Sequence, residues 1–182
     1  MKKITTRQLV TDAMLAAMCA VLGYLSLNFG NVMKITFESV PVLIGALLFG
    51  PVDGMLIGGV GTLIYQLLRY GVTVTTPLWI LPYVLCGLLA GLYAKNKYFK
   101  LTQLQVIWIV TANELLITVL NTGSLYVDSK IYGYYYPGII LGMLALRLVI
   151  CVAKSLVYAF ALPVVLKPLR AAYEPRNGGV TQ

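Results

Sequence analysis

Two stretches of this chain hold no Asp, Glu, Lys or Arg over lengths that match a bilayer: Ala13 to Met33, 21 residues, and Tyr70 to Ala94, 25 residues. As helix, at about 1.5 Å per residue, each crosses a hydrocarbon core ~30 Å thick. A third uncharged run covers Ile131 to Leu146. Only 11% of the 182 residues are charged and 59% are hydrophobic, whereas a soluble domain carries about a quarter charged residues. The excess apolar surface must face lipid. The chain reads as a polytopic membrane protein, a single integral-membrane domain over residues 1–182.

Six spans are the most economical path: about Leu9 to Phe29, Ser39 to Phe49, Val52 to Tyr70, Leu78 to Ala94, Leu104 to Asn121 and Ile139 to Leu166. Breaks fall where turn chemistry is dense, at Gly30–Asn31, Gly50–Pro51, Gly71 to Pro77, Lys95 to Lys100 and Gly123 to Pro137. The second span is short, so it starts earlier, tilts, or breaks near Pro41. Met1–Lys2–Lys3 is like the start of a signal peptide, but the apolar run that follows is too long for one and reads as the first span. Lys2, Lys3, Arg7, Lys95, Lys97, Lys100, Lys167, Arg170 and Arg176 then fall on one side, nine basic residues against Lys34, Arg69 and Lys130 on the other. By the positive-inside rule both termini are cytoplasmic. The expected fold is an all-α membrane protein, a six-transmembrane-helix bundle. The net charge of +8 reflects this topology and not a nucleic-acid partner.

Composition excludes several chemistries. Without a histidine there is no His-based triad, no HExxH zinc site and no His proton relay. Cys19, Cys86 and Cys151 lie in apolar stretches and read as buried hydrophobes, not as metal ligands or a disulfide frame. The run Gly58–Gly59–Val60–Gly61–Thr62 lacks the Lys-Ser/Thr ending of a phosphate loop and lies within a span. No catalytic residue, metal site or cofactor is assigned, and the chain has no ATPase site of its own.

Ionisable groups at membrane depth are costly and point to ion pairs or ligands. Glu114 lies about ten residues, or ~15 Å, into the fifth span, near the midplane. Arg147 reaches comparable depth on the sixth, with Lys154 on the same face seven residues later. A Glu114–Arg147 or Glu114–Lys154 ion pair and a ligand-binding role are equally open. One acid cannot neutralise two bases, so the surplus favours an anionic ligand. Asp12, near a helix end, reads as a cap or surface group. The outer side gathers Tyr126, Tyr132, Tyr134, Tyr135 and Tyr136 with Asp128 and Lys130, then Trp79, Tyr65 and Arg69, and the loop containing Lys34, Phe37 and Glu38. Interfacial anchoring explains most of these tyrosines, but five in one segment exceed that need. The outer half reads as a polar, aromatic pocket.

On the first helix Ala13, Ala16, Ala17 and Ala20 form overlapping small-xxx-small pairs, either internal packing or a docking face for another protein. Gly54, Gly58 and Gly61 on the third read as internal packing.

The segment Ile35-Thr36-Phe37-Glu38-Ser39-Val40-Pro41-Val42-Leu43-Ile44-Gly45, continued through Phe49-Gly50-Pro51-Val52-Asp53-Gly54 to Gly58, resembles the S components of energy-coupling factor (ECF) vitamin transporters. Phe37-Glu38-Ser39 with Thr75-Thr76-Pro77-Leu78-Trp79-Ile80-Leu81-Pro82 is most similar to the folate-specific members. One departure is Thr62, where many members carry an acid. The resemblance implies a substrate-binding subunit in a bacterial plasma membrane that captures folate or a related vitamin outside the cell. It further implies partners, a transmembrane coupling subunit and two ATPase subunits, and it maps the family's Ala-xxx-Ala docking motif onto Ala13/Ala17 or Ala16/Ala20. A pterin edge of N–H donors suits a buried carboxylate, for which Glu114 is the deep acid available. Arg147, Arg69 or Lys34 suit the carboxylates of a glutamate tail, and Trp79, Phe37 and the tyrosines suit stacking on the rings. The alternatives are an S component for thiamine or riboflavin, or a solitary ion-coupled transporter, which usually needs more intramembrane acids.

Overall fold

The computed structural model describes residues 5–29, 33–99 and 101–173, without the side chains of residues 27–29, 33, 34, 139–141, 143, 172 and 173. Lys2, Lys3, Lys100 and Arg176 of the basic set, and the Gly30–Asn31 turn, lie outside the described residues.

Six helices form among the described residues: α1 (Thr6–Tyr24), α2 (Ser39–Leu48), α3 (Pro51–Tyr70), α4 (Thr76–Asn96), α5 (Gln103–Ile131) and α6 (Pro137–Tyr173). Four of them, α3 to α6, are long and apolar enough to cross a membrane. Their starts follow the sequence closely. Thr5 caps α1 by accepting from the Gln8 backbone N–H at 3.3 Å, and Thr102 and Gln105 form a reciprocal capping box at α5. Pro51 opens α3 where its missing N–H costs nothing.

Helix α2 has only ten residues, ~15 Å, too short to span. Its Val42, Leu43, Ala46 and Leu47 have no exposed surface. A helix apolar on every side is stable when enclosed, and α1, α3, α4 and α6 all pack on this one.

Two expected boundaries move. The first span was drawn to Phe29, but α1 ends at Tyr24 and Leu27–Phe29 (β1) pairs antiparallel with Met33–Ile35 (β2), Leu27 opposite Ile35. The segment Gly123 to Pro137 was drawn as a loop, yet α5 continues to Ile131. Its hydroxyl groups find carbonyl acceptors in α5 itself and in α4. Thr118 and Thr122 donate to the carbonyls of Glu114 and Thr118 at 2.8 and 2.7 Å, and Ser124 donates across to Leu78 O at 2.8 Å. The turn comes later, at Gly133 with φ +77° and Pro137.

Close backbone crossings hold α3 against α2 and α4. A Cβ added at Gly54 would lie 2.6 Å from Ala46 Cβ, and one at Gly58 would lie 2.5 Å from Tyr83 O. Gly87 abuts the Gly54 carbonyl and Gly91 abuts Pro51 even more tightly. The glycines of α3 therefore pack internally, as their spacing indicated. Gly91 against Pro51, and Gln8 donating to Asp53 at 3.0 Å, place the start of α1, the start of α3 and the end of α4 at one end of the bundle. The other end holds the candidate site.

Candidate functional site

At that other end a cavity of about 500 Å³ opens between α3, α4, α5, α6 and the segment leading into α2. Small-molecule sites commonly fall between about 300 and 1,000 Å³. Each wall has a local cause. Helix α3 stops at Gly71, φ +73°, leaving Tyr65, Arg69 and Tyr70 on its last turns facing the space. A threonine turn follows: Thr73 N–H and Oγ1 lie 3.0 and 2.9 Å from Thr76 Oγ1, and this turn starts α4 so that Thr75 and Trp79 face inward.

Helix α5 contributes Thr118, Asn121, Leu125 and Asp128, and the turn after it adds Tyr132 and Tyr134. Helix α6 contributes Arg147, Cys151 and Lys154, at a near-heptad spacing that keeps Arg147 and Lys154 on one face.

Charges of both signs line the space. Lys154 Nζ lies 2.8 Å from Glu114 Oε2 and 5.6 Å from the Tyr158 ring centre. Of the two pairings open in the sequence, the structure forms Glu114–Lys154. Arg147 donates to Thr122 Oγ1 at 3.2 Å. Arg69 donates to Tyr24 O at 3.1 Å and Ser26 Oγ at 3.3 Å, tying α3 to the end of α1.

Two acids share the wall. Glu38 is fully buried, and Asp128 accepts from Thr75 Oγ1 at 2.5 Å and from the Tyr134 hydroxyl. Partial burial, and after it the hydrogen bond to Asp128, push the Tyr134 phenol above its ordinary value, so it remains a donor at neutral pH.

The expected residues divide. Tyr65, Arg69, Trp79 and Arg147 line the cavity together. Glu114 does not line it; it is 1% exposed and sits behind Lys154. Phe37 is 40% exposed and packs 6.1 Å from the Tyr158 ring, off the lining. Lys34 belongs to β2, and its side chain lies outside the described residues. Of the five outer tyrosines, Tyr132 and Tyr134 face the cavity, while Tyr126 and Tyr135 pack edge to face at 5.5 Å with Lys130 over the Tyr135 ring at 4.3 Å.

The sequence gathered Glu38 and Asp128 on the outer side without singling them out as ligand contacts, and it assigned no such role to Tyr83 or Thr75. Glu38 directly precedes a helix with no polar face, and that adjacency was the signal of its depth. Thr62, the departure from the family pattern, is buried on α3, and its hydroxyl has no hydrogen-bond partner among the described residues.

The alanines of α1 separate by face. Ala16 and Ala20 are buried, and a Cβ added at Gly61 would lie 2.8 Å from Ala16 O. Ala13 and Ala17 are exposed on the opposite side.

With this geometry in hand, known proteins can be set beside it. No curated protein sequence matches the chain. Among solved structures, the S component of a bacterial ECF transporter superposes with a TM-score of 0.65 at 22% identity, covering 90% of this chain and 98% of the other. FolT bound with folic acid superposes with a TM-score of 0.56 at 21% identity, covering 82% and 90%. At these identities the likeness is one of fold. Residues 7–172 match the family described as ECF transporter, substrate-specific component. The chain therefore belongs to the substrate-specific components of ECF transporters, a family of membrane-embedded substrate-binding subunits and not of enzymes.

Proposed function

We propose that the chain is the high-affinity folate-binding subunit of an ATP-driven ECF-type uptake transporter. The observation that carries this reading is the cavity itself, which joins aromatic faces at Trp79, Tyr65 and Tyr132, cations at Arg69, Arg147 and Lys154, and buried acid at Glu38. Folate combines a flat heterocycle edged with N–H donors and a tail with two carboxylates. Arginine forks hold carboxylates in two-point geometry, and aromatic faces stack on fused rings. The superposition on FolT bound with folic acid supports the same choice of vitamin.

By the positive-inside rule, the basic residues at the end opposite the cavity support a cytoplasmic position for that end and for the termini, with the cavity opening outward. The protein would sit in the bacterial plasma membrane and dock on a transmembrane coupling subunit driven by two ATPase subunits. Ala13 and Ala17 supply the docking face, because Ala16 and Ala20 are occupied inside the bundle. Ala17→Leu would then abolish ATP-dependent uptake in cells carrying the coupling proteins while leaving folate binding within about twofold, since one exposed methyl-to-isobutyl change removes close approach but touches no cavity residue. Equal loss of binding and uptake would remove the docking assignment.

The proposal as a whole is tested by titrating the purified chain in detergent with folate, thiamine and riboflavin. Folate alone should saturate it. Preference for thiamine or riboflavin would keep the family and replace the vitamin, and uptake without any ATPase would favour a solitary transporter.

A further inference from the structure

We infer a proton-binding site at the end of the bundle opposite the cavity: Asp12 and Asp53 hold one proton between them, Asp12 as the acid and Asp53 as the carboxylate. The sequence placed Asp12 at a cap or on the surface. The structure instead buries it on the α3 side of α1, 8% exposed, with Asp53 at 7%. The two side chains meet there. Gln8, one turn before Asp12 on the same face of α1, donates to Asp53 Oδ1 at 3.0 Å. The Asp12 and Asp53 carboxyl groups hydrogen-bond each other. Two ionised carboxylates cannot do so, because neither has a donor. One of the two is therefore protonated.

Helix position and satisfaction decide which. Asp53 lies in the first turn of α3, where the helix dipole favours a negative charge, and it already accepts from Gln8. Asp12 lies beyond the first turn of α1 and has no such support. Its Oδ1 is buried with no hydrogen-bond partner among the described residues. That is tolerable for the carbonyl oxygen of a neutral acid and costly for a carboxylate. The surrounding elements add few charges. Helix α1 packs on α3 and α2; α2 has no ionisable residue, and the next on α3 after Asp53 is Tyr65. Arg7, on α1 itself, lies about 140° around the helix from Asp12. Loss of the proton would set two like charges side by side in a buried seam and force the start of α1 away from α3. Because α1 also carries the exposed Ala13 and Ala17, the proton ties the seat of the proposed docking face to the pH on that side of the membrane. This last step rests on the docking reading; the proton site does not, and it is independent of which vitamin binds.

The test follows thermal unfolding of the purified full chain in detergent, together with the infrared C=O stretch of protonated carboxyl groups. The unfolded chain holds no proton on Asp12 between about pH 6 and about pH 9, whereas the folded chain does at the lower end. Wild-type stability should therefore fall as pH rises across that range, by about 3 °C or more in Tm. Asp12→Asn keeps a donor toward Asp53 without a titratable proton, and Asp53→Asn keeps an acceptor without the second charge. Each should reduce the fall to less than about 1 °C. One carboxylic C=O band should disappear in Asp12→Asn, and in the wild type at the higher pH. If Asp12→Asn does not fold, Asp53→Asn and the wild-type band carry the same decision. A pH dependence unaltered in the variants overturns the inference, as does wild-type stability that rises with pH. A set of carboxylic bands that Asp12→Asn leaves intact overturns it as well.

Discussion

Gly87→Ala should cost about 3 kcal/mol or more of stability, the upper end of what overpacking a tight core produces. The new methyl group would meet the Gly54 carbonyl and the Met55 nitrogen. These are backbone atoms on α3, and no rotamer change can move them. The crossing cannot open locally either. Gly54 is already pressed against Ala46 of α2, and Gly91 against Pro51, so α3 has little room to shift away from the new methyl group. The cavity depends on this crossing, because Tyr65 and Arg69 ride on α3 while Trp79 and Tyr83 ride on α4. Ligand binding should therefore fall with stability. Gly123→Ala is the control: its added Cβ meets nothing within 4 Å among the described residues, so a helical alanine there should gain a few tenths to about 1 kcal/mol. Thermal unfolding in detergent, monitored by circular dichroism, measures both. A Gly87→Ala protein as stable as wild type would mean that α3 and α4 do not approach as described.

Glu114→Gln should destabilise the unliganded protein by about 3 kcal/mol, because it strands the Lys154 ammonium in a largely desolvated place. Lys154 is 15% exposed and Glu114 1%, so water screens the pair little. Lys154→Met alone should cost a similar amount by stranding the carboxylate, whose Oε1 has no hydrogen-bond partner among the described residues. The double variant should recover most of either loss, since removing both charges of a buried pair is close to neutral. A double-mutant cycle on unfolding measures the coupling directly. If Glu114→Gln left stability untouched and weakened only ligand binding, Glu114 would be a ligand contact and the pair would be incidental.

The fold was legible where lipid dictates composition. Uncharged runs marked the spans, capping residues marked helix starts, and Gly54, Gly58 and Gly61 marked the crossing surface. The end of α5 was not legible, because Asn121, Thr122, Gly123 and Ser124 have the composition of a turn. Hydroxyls bonded back to helix carbonyls make the same residues helical, and that choice depends on α4 being alongside to accept from Ser124. The hairpin escaped for a related reason: its pairing is between short segments with no alternation long enough to read.

In the site, Arg147 was found as a costly charge at membrane depth, and Arg69, Tyr65 and Trp79 as charged or large side chains near the outer ends of the spans. Glu38 was read as a loop acid, since sequence carries depth only through helix position. A loop that dips between helices leaves no periodic trace. The partner of Glu114 was equally undecidable, because Arg147 and Lys154 share a helix face two turns apart and only the packing of α6 against α5 decides which lies level with it.

The most direct measurement uses the two tryptophans. Trp79 faces the cavity, whereas Trp108 on α5 is 73% exposed on the outer surface. Folate added to the Trp108→Phe protein should quench the remaining fluorescence saturably and at one-to-one stoichiometry, with thiamine and riboflavin inert. The Trp79→Phe protein, keeping Trp108, should show little saturable change. Quenching that never saturates, or that follows Trp108 instead of Trp79, would contradict the account of this cavity as the folate site.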